Sequence, residues 1–518
     1  MIHEVVPTLR RSRLLHWLTI AIVLWMSYGW GAFNLPPNYV DTYSEQFVVR
    51  KIEAGSGLRE DVPGGFLLLP PETAAQMGGA AYRANPGWQG MALSALHRAT
   101  GGSINDFVRA SKIAYALLWS LVASAFVMLI WRHFGTTAAA FAFASYLLSA
   151  TMVAMSVNLY WCLFIVGTVA LVAWIRIERE SGSGRLSHRT FAILGGLVFL
   201  KSLTGYEWIT TVALTCCVPL VFFALTRRWS ARTFFRNATW IMTYCIAGFA
   251  VALAIHMAQG VIAFGSVNEA LKPVLSRAMA HTYGNPTEAA ELYYLDPKRY
   301  PTNVPWLTLF YQYLIYPIVG APGLATQGAI TLLTAIAVFV GGVIGSLGVG
   351  RPLRGIPARI ADIGIPILFA AGTVVLALLT LVVLPDRSRV PDPVIMKVVY
   401  RSTVPLLYAA AAAVLAAISW RVRARVLQAG ALERTRLDPL TIPLLATAGA
   451  AFVAALSWLI LAKSHAAVHT VLNIVTFGIL FTPLVAAWVG MTLEGVFRHR
   501  ARQPWTTATD EVRTSATA

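Results

Sequence analysis

The stretch ATWIMTYCIAGFAVALAIHMAQG, residues 238–260, decides the fold. It contains no Asp, Glu, Lys or Arg over a length that is sufficient to cross a bilayer, whose hydrocarbon core takes about 20 apolar residues of helix. Backbone amide and carbonyl groups find no water in lipid, so a spanning segment forms either a helix or a strand of a closed barrel. Barrel strands are only about 10 residues long, and the continuous run therefore predicts a helix.

Runs of this kind recur along the chain and predict an all-α, polytopic transmembrane helix bundle of about 12 spans. The predicted spans are residues 14–33, 110–131, 137–157, 159–177, 190–206, 208–226, 238–260, 324–349, 361–384, 401–420, 440–463 and 467–494. They form a single integral-membrane domain, residues 1–502, with both termini on the cytoplasmic side. The polar tail, 503–518, is expected to be disordered.

The composition excludes a soluble enzyme. Hydrophobic residues make up 57% of the chain, charged residues make up 12%, and the mean hydropathy is +0.64. A soluble domain carries roughly 25% charged residues. The net charge of +18 comes largely from arginines in the short loops on the side of the N-terminus, as the positive-inside rule predicts. Because they are spread over separate loops, the surplus indicates membrane orientation and attraction to anionic headgroups, and no nucleic-acid partner.

Three longer segments, 34–108, 261–306 and 385–400, fall on the opposite, outer side and predict short amphipathic helices and turns on the membrane surface. The aromatic segment 305–320, interrupted by Pro317, predicts an interfacial or re-entrant helix. The four cysteines all lie in apolar runs, which predicts buried thiols and no disulfide framework. No P-loop motif or H-E-x-x-H zinc motif occurs in the sequence.

The first outer segment begins with NLPPNYVDTYSEQF and places Asp41 shortly after the first span. Glu45 follows four residues later, so one helical turn puts both carboxylates on one face. A carboxylate at this boundary suits a general base for an incoming hydroxyl group. The alternative is an ordinary loop acid that caps the next helix.

A second constellation is LKSLTGYEWITT, which holds Lys201, Tyr206 and Glu207 near the outer end of a predicted span. Charges within a span are costly and tend to face a cavity, a partner or a substrate. A helix break at Gly205 would bring Lys201 and Glu207 together as a pair. A structural ion pair or snorkelling to the interface is the alternative.

The third constellation is SWLILAKSHAAVHTVLN, with Lys463, His465 and His469 at the outer ends of the last two spans. The two histidines are four residues apart and share a helical face, which Asn473 extends. No third zinc ligand is nearby, so the pattern favours an anionic headgroup over a metal ion. Interfacial anchoring is the alternative.

Smaller polar and aromatic groups also lie on the outer side. Asn158 and Tyr160 occupy the turn between two spans, together with Trp161, where a lipid-facing aromatic belt is the alternative. The first loop contains YRANPGWQG with Trp88 and Gln89, a mixture that suits sugar stacking and hydrogen bonding but also suits a turn. His281 lies in the second outer segment. Further candidates for phosphate contacts are Arg277, Arg387 and Arg389.

With Asp41 in NYVDTYSEQ shortly after the first of many spans, the chain resembles the GT-C superfamily of integral-membrane glycosyltransferases. The resemblance implies a bacterial inner-membrane enzyme that uses a polyprenyl-phosphate-linked sugar, with Asp41 as the catalytic base. It further implies that basic side chains bind the donor phosphate, for which Lys463, His465, His469 and Lys201 are candidates. No second acid adjoins Asp41; Glu45 is the next, and Glu207 is available elsewhere.

The expected enzyme needs no cofactor, and its acceptor is a glycan, a lipid or a protein. Tyr206, Asn158, Tyr160, Trp88, Gln89 and His281 are candidates for contacts with the sugar or the acceptor. The rival interpretations are a transporter or flippase of lipid-linked glycans, an O-antigen-ligase-type enzyme and a non-catalytic membrane scaffold. A transporter needs ionisable groups near the middle of the bilayer, and Lys201 is the best candidate for one.

Overall fold

The computed structural model describes residues 2–29, 41–62, 64–71, 81–281, 309–310, 313–314, 316–319, 330–348 and 439–502. This part of the chain is mostly helical. Four of its helical segments are long and apolar enough to cross a membrane: Ile104–Phe134, Ile209–Thr226, Ala231–Phe264 and Thr441–Leu461. Shorter apolar segments are Leu14–Gly29, Thr136–Leu147 and Leu332–Val343.

Besides a short 3-10 helix, Ser181–Ser183, the first half of the described chain contains the following α-helices. They are α1 (Ile2–Gly29), α2 (Thr42–Gly55), α3 (Trp88–Thr100), α4 (Ile104–Phe134), α5 (Thr136–Leu147), α6 (Ala150–Ser156), α7 (Leu163–Glu180), α8 (His188–Thr204), α9 (Ile209–Thr215), α10 (Val218–Thr226) and α11 (Ala231–Phe264). The helices of the second half are α12 (Val267–His281), α13 (Leu332–Gly348), α14 (Thr441–Leu461), α15 (Lys463–Val468), α16 (Thr470–Asn473), α17 (Val475–Ile479) and α18 (Phe481–Arg502).

Several predicted spans agree with observed helices. The predicted span 110–131 lies inside α4, the span 238–260 lies inside α11, and α14 matches 440–463. The predicted spans 361–384 and 401–420, the outer segment 385–400 and the tail 503–518 lie outside the described residues.

Three predicted spans are broken rather than continuous. The segment 208–226 divides into α9 and α10. The segment 137–157 divides into α5 and α6, and Ser149 caps the second helix by accepting from Met152 N at 3.4 Å. The segment 467–494 divides into α15 to α18. Pro483 has no N–H to donate to the carbonyl of Ile479, and Tyr146 Oη donates to that carbonyl instead at 2.7 Å. A proline and a distant tyrosine thus end the helix at this point.

The described residues of the segment 34–108 contain α2 and α3, which pack on each other and agree with the prediction of short helices there. The sequence did not predict the two short antiparallel strands beside them, β1 (Leu67–Leu68) and β2 (Ala81–Tyr82). A second pair, β3 (Pro317–Val319) and β4 (Ile330–Thr331), replaces the helix predicted at the end of 305–320. Pro317 disfavours a helix interior but is tolerated in a two-stranded edge pair.

The bundle is built by long helices that pack in pairs: α1 against α4, α8 against α11, and α5 against α18. All four cysteines are free thiols. Cys162, Cys216 and Cys245 are buried, as predicted, whereas Cys217 is half-buried. The α8–α11 crossing is close because it is lined by glycine. A Cβ atom at Gly195 would lie 2.5 Å from the carbonyl oxygen of Tyr244.

Gly195→Val is expected to lower the free energy of unfolding by about 1–3 kcal/mol, because the obstructing atom belongs to the backbone of α11 and cannot rotate away. Gly196→Val is the matched control, since a Cβ atom there has open space around it. Thermal unfolding in detergent measures both. Equal destabilisation by the two substitutions would mean that helix propensity, and not the crossing, sets the cost.

Candidate functional site

Asp41 is the N-cap of α2, and both oxygens of its carboxylate are engaged. Oδ1 accepts from Ser44 N at 3.0 Å, and Oδ2 accepts from Trp161 Nε1 at 2.9 Å. The backbone carbonyl of Asp41 accepts from Asn158 Nδ2 at 2.9 Å. The capping interpretation is therefore confirmed, and the half-buried carboxylate is also tied to a turn more than one hundred residues away.

Glu45 lies one helical turn beyond Asp41 and is buried. Its carboxylate forms an ion pair with Lys112 Nζ at 2.6 Å and accepts from Leu159 N at 3.2 Å. Burial raises the pKa of Glu45, while the Lys112 ammonium and the hydrogen bonds act in the opposite direction. Glu45 therefore joins α2 to α4 and to the turn before α7.

Asn158 organises that turn. Its Oδ1 accepts from Tyr160 N at 3.0 Å and from Trp161 N at 3.4 Å, an arrangement that suits the short asparagine side chain. Cys162 completes the turn with a left-handed backbone, φ 49°. Asn158, Tyr160 and Trp161 are all buried within the protein, so the alternative of a lipid-facing aromatic belt is wrong for them.

Tyr160 connects the first outer segment to the turn after α8. Its Oη donates to Glu207 Oε1 at 2.6 Å and accepts from Asn85 Nδ2 at 3.2 Å. Its backbone carbonyl accepts from Gln89 Nε2 at 3.3 Å. Asn85 and Gln89 both come from the motif YRANPGWQG, whereas Trp88, at the start of α3, is 40% exposed.

Tyr160→Phe is expected to cost about 1–3 kcal/mol of stability, because it leaves the buried Glu207 carboxylate without its hydroxyl donor. Tyr115→Phe is a suitable control, because within the described part of the chain its hydroxyl meets a single weak partner, Cys162 Sγ at 3.9 Å. Chemical denaturation of the two purified variants measures the loss in the free energy of unfolding that each substitution causes. The assigned role of Tyr160 would be refuted by a loss no larger than that of Tyr115→Phe.

Lys201, at the end of α8, and Glu207, just after it, are buried on either side of the break at Gly205, but among the described residues they form no direct salt bridge. Helix α8 ends at Thr204, and Lys201 Nζ donates to the carbonyl of Gly205 at 2.9 Å. The helix breaks at Gly205, φ 154°, so the carbonyl of Gly205 has no helical N–H partner. The Lys201 ammonium donates to that carbonyl instead of pairing with Glu207.

Trp208 is a central residue that the sequence did not single out. It is fully buried with a left-handed backbone, φ 62°, and its ring stacks on Trp161 with centroids 4.6 Å apart. Its Nε1 donates to Asn473 Oδ1 at 2.9 Å. A continuous series of contacts thus runs from Asp41 through the two tryptophans to the last part of the chain.

Tyr206 points away from this series. Its Oη lies 2.8 Å from His256 Nδ1, and His256 Nε2 lies 3.0 Å from the carbonyl oxygen of Arg83. A carbonyl only accepts, so His256 carries its proton on Nε2 and Tyr206 donates to Nδ1. His256, inside an apolar helix, carried no sequence signal.

Lys463, His465 and His469 lie together on α15 and at its end, as predicted. The histidine rings are 4.7 Å apart, and His465 is buried with its ring 5.6 Å from that of Trp458. Helix α15 packs against α12 and α14. His281 is the last residue of α12, and its side chain lies outside the described part; Arg387 and Arg389 also lie outside it.

The structure therefore brings residues from distant segments to one end of the bundle. This Asp41 cluster consists of Asp41, Glu45, Lys112, Asn158, Tyr160, Trp161, Glu207 and Trp208. Ser457 Oγ donates to Thr210 Oγ1 at 3.2 Å, so the end of α14 that precedes Lys463 lies beside the start of α9.

Comparison of the chain with protein-family models, with curated proteins and with solved structures found no match. The Asp41 cluster lies at one end of a bundle that contains helices long and apolar enough to cross a membrane.

Proposed function

We propose that the protein is an inner-membrane glycosyltransferase that moves a sugar from a polyprenyl-phosphate donor to an acceptor hydroxyl at the periplasmic face. One observation carries the proposal. The half-buried Asp41 carboxylate is oriented by Trp161 Nε1 and Ser44 N at one end of a bundle whose helices are suited to a bilayer. An oriented carboxylate at the boundary between lipid and water is what a lipid-linked donor and a polar acceptor require.

In the proposed reaction, the oxygen of the acceptor hydroxyl attacks the anomeric carbon of the sugar, and the Asp41 carboxylate takes the proton of that hydroxyl. A new C–O bond forms on the sugar, and the bond from the anomeric carbon to the phosphate oxygen breaks. The departing polyprenyl phosphate keeps the electron pair as negative charge. Lys463, with His465 and His469 as donors, is proposed to stabilise that charge, because they lie on the segment that Asn473 joins to the Asp41 cluster.

The buried acids take supporting roles in this proposal. Glu45 is engaged by Lys112 and Leu159 N, and Glu207 by the hydroxyl of Tyr160. Both are positioning residues that hold the turn carrying Trp161. Asp41, which is half-buried, is the acid best suited to meet a substrate.

The proposal is tested with the full-length chain in proteoliposomes that contain a radiolabelled polyprenyl-phosphate sugar and a mixture of cell-envelope acceptors. The expected result is cleavage of the donor, with free polyprenyl phosphate and labelled acceptor as products. A flippase would instead move the intact donor between leaflets. Translocation of the donor without cleavage would overturn the proposal in favour of that rival.

A further inference from the structure

A second feature lies at the opposite end of the helices from the Asp41 cluster. Helix α4 carries Lys112 near one end and Arg132 near the other. Twenty residues of helix rise about 30 Å, which equals the thickness of a hydrocarbon core. With Lys112 at one membrane surface, Arg132 therefore lies at the other. We call this the arginine end.

An open crevice of about 590 Å³ lies at the arginine end between α1, α4 and α7. Its lining is almost entirely apolar, with Arg132 at its rim: Leu14, Trp17, Ala125, Met128, Leu129, Trp131, Leu171 and Ile175. Trp131, next to Arg132, is the residue type that collects at the headgroup level of a bilayer. Trp17 lies deeper, since its Nε1 donates to the carbonyl of Leu121 at 3.3 Å, midway along α4. The crevice therefore has apolar side chains along most of its length and an amphipathic end formed by Trp131 and Arg132.

A second pocket of about 400 Å³ continues the first. The two share Leu129, Arg132 and Ile175, and the second adds Arg179, Arg227 and Glu178. Of its described lining residues, three are cationic and one is anionic. The Glu178 carboxylate is already engaged by Arg132 at 3.0 Å and approached by His133 Nε2 at 3.3 Å. The pocket thus has a positive surplus directly above an apolar surface.

We propose that this joined crevice binds one anionic glycerophospholipid, with its phosphate among Arg132, Arg179 and Arg227 and an acyl chain along Leu129 and Met128. Charge complementarity identifies the occupant. A zwitterionic lipid leaves the positive charge of the three arginines uncompensated, whereas an anionic headgroup neutralises it. Basic pockets between membrane helices are known to suit anionic headgroups. The site is independent of the proposed sugar transfer.

The test measures how much phosphatidylglycerol the purified full-length chain retains, by counting bound lipids with native mass spectrometry. Phosphatidylethanolamine, a zwitterionic lipid, is measured in the same way for comparison. The triple variant Arg132→Gln, Arg179→Gln, Arg227→Gln is expected to lower the apparent affinity for phosphatidylglycerol by about tenfold or more. The matched control is Arg185→Gln, Arg189→Gln, Arg232→Gln, which removes the same charge from exposed arginines at the same end. It should retain the lipid.

A second variant tests the apolar half. Ala125→Trp fills the crevice and should also lose the lipid, whereas Ala140→Trp, on an exposed face of α5, should retain it. Glycerophosphoglycerol, the headgroup without chains, should fail to displace the lipid. The proposal is overturned if both triple variants lose phosphatidylglycerol equally, or if the wild-type chain retains phosphatidylethanolamine as well as phosphatidylglycerol. Displacement of the bound lipid by glycerophosphoglycerol would also overturn it.

Discussion

Replacing Asp41 by Asn is expected to lower the rate of sugar transfer by about 10²- to 10⁴-fold, the usual contribution of a positioned general base. Asparagine caps a helix as well as aspartate does, so its side-chain oxygen can still accept from Ser44 N. Its amide nitrogen cannot accept from Trp161 Nε1, so that second hydrogen bond is lost. The helix cap and the fold should therefore survive while the proton acceptor is lost. The measurement is the initial rate of labelled-product formation in proteoliposomes at saturating donor.

The matched control for this substitution is Asp106→Asn. Asp106 is an exposed acid in the first turn of α4, at the same end of the bundle, and it is not part of the Asp41 cluster. Its replacement makes the same chemical change and should leave the rate within about twofold of the wild-type rate. A wild-type rate in Asp41→Asn would remove Asp41 from the reaction.

The second large effect is expected at Lys112. Lys112→Met removes the cation from the buried Glu45 carboxylate, and we expect a loss of about 1–3 kcal/mol in the free energy of unfolding. The turn that holds Trp161 should loosen with it, since Glu45 also accepts from Leu159 N. The double variant Lys112→Met, Glu45→Gln should recover most of the loss, because position 45 then holds no buried charge without a partner.

The pH dependence of Lys112→Met supplies an independent check. Burial raises the pKa of Glu45, so the stability associated with its neutral form is present at low pH and is lost as pH rises through the raised pKa. Without Lys112 that pKa rises further. The deficit of the variant relative to wild type should therefore shrink as pH falls from about 8 to about 5.

Arg59→Met controls for the loss of an ordinary ion pair. Arg59 pairs with Glu53 at 2.5 Å, and its side chain is 41% exposed. Such a pair contributes about 0–1 kcal/mol, so its loss should be small and nearly independent of pH over the same range. A deficit of Lys112→Met that equals the Arg59→Met deficit, or that does not change with pH, would contradict the assigned role of the Glu45–Lys112 pair.

The sequence predicted the helices and much of the grouping at the Asp41 end. Both follow from where apolar and charged residues fall along the chain. Long uncharged runs such as 238–260 indicate spans, and α11 contains that run. Asp41, Asn158 and Glu207 all lie next to predicted span ends on the same side. Alternation of the spans is enough to bring such residues to one end of a bundle.

The contacts within the cluster depend on backbone conformations that composition does not encode. Trp208, which joins Trp161 to Asn473, has a left-handed backbone, a conformation that is rare for an aromatic residue. The break at Gly205 was expected, but the acceptor for Lys201 was a carbonyl group rather than Glu207. These outcomes were decided by local competition among buried polar groups.

The most direct test of the central claim is a structure of the full-length protein with a non-cleavable polyprenyl-phosphonate sugar bound. The proposed function predicts the phosphonate at the Asp41 end, in contact with Lys463, His465 or His469, and the sugar beside the Asp41 carboxylate. A phosphonate bound at the arginine end, or a sugar beyond reach of Asp41, would contradict it.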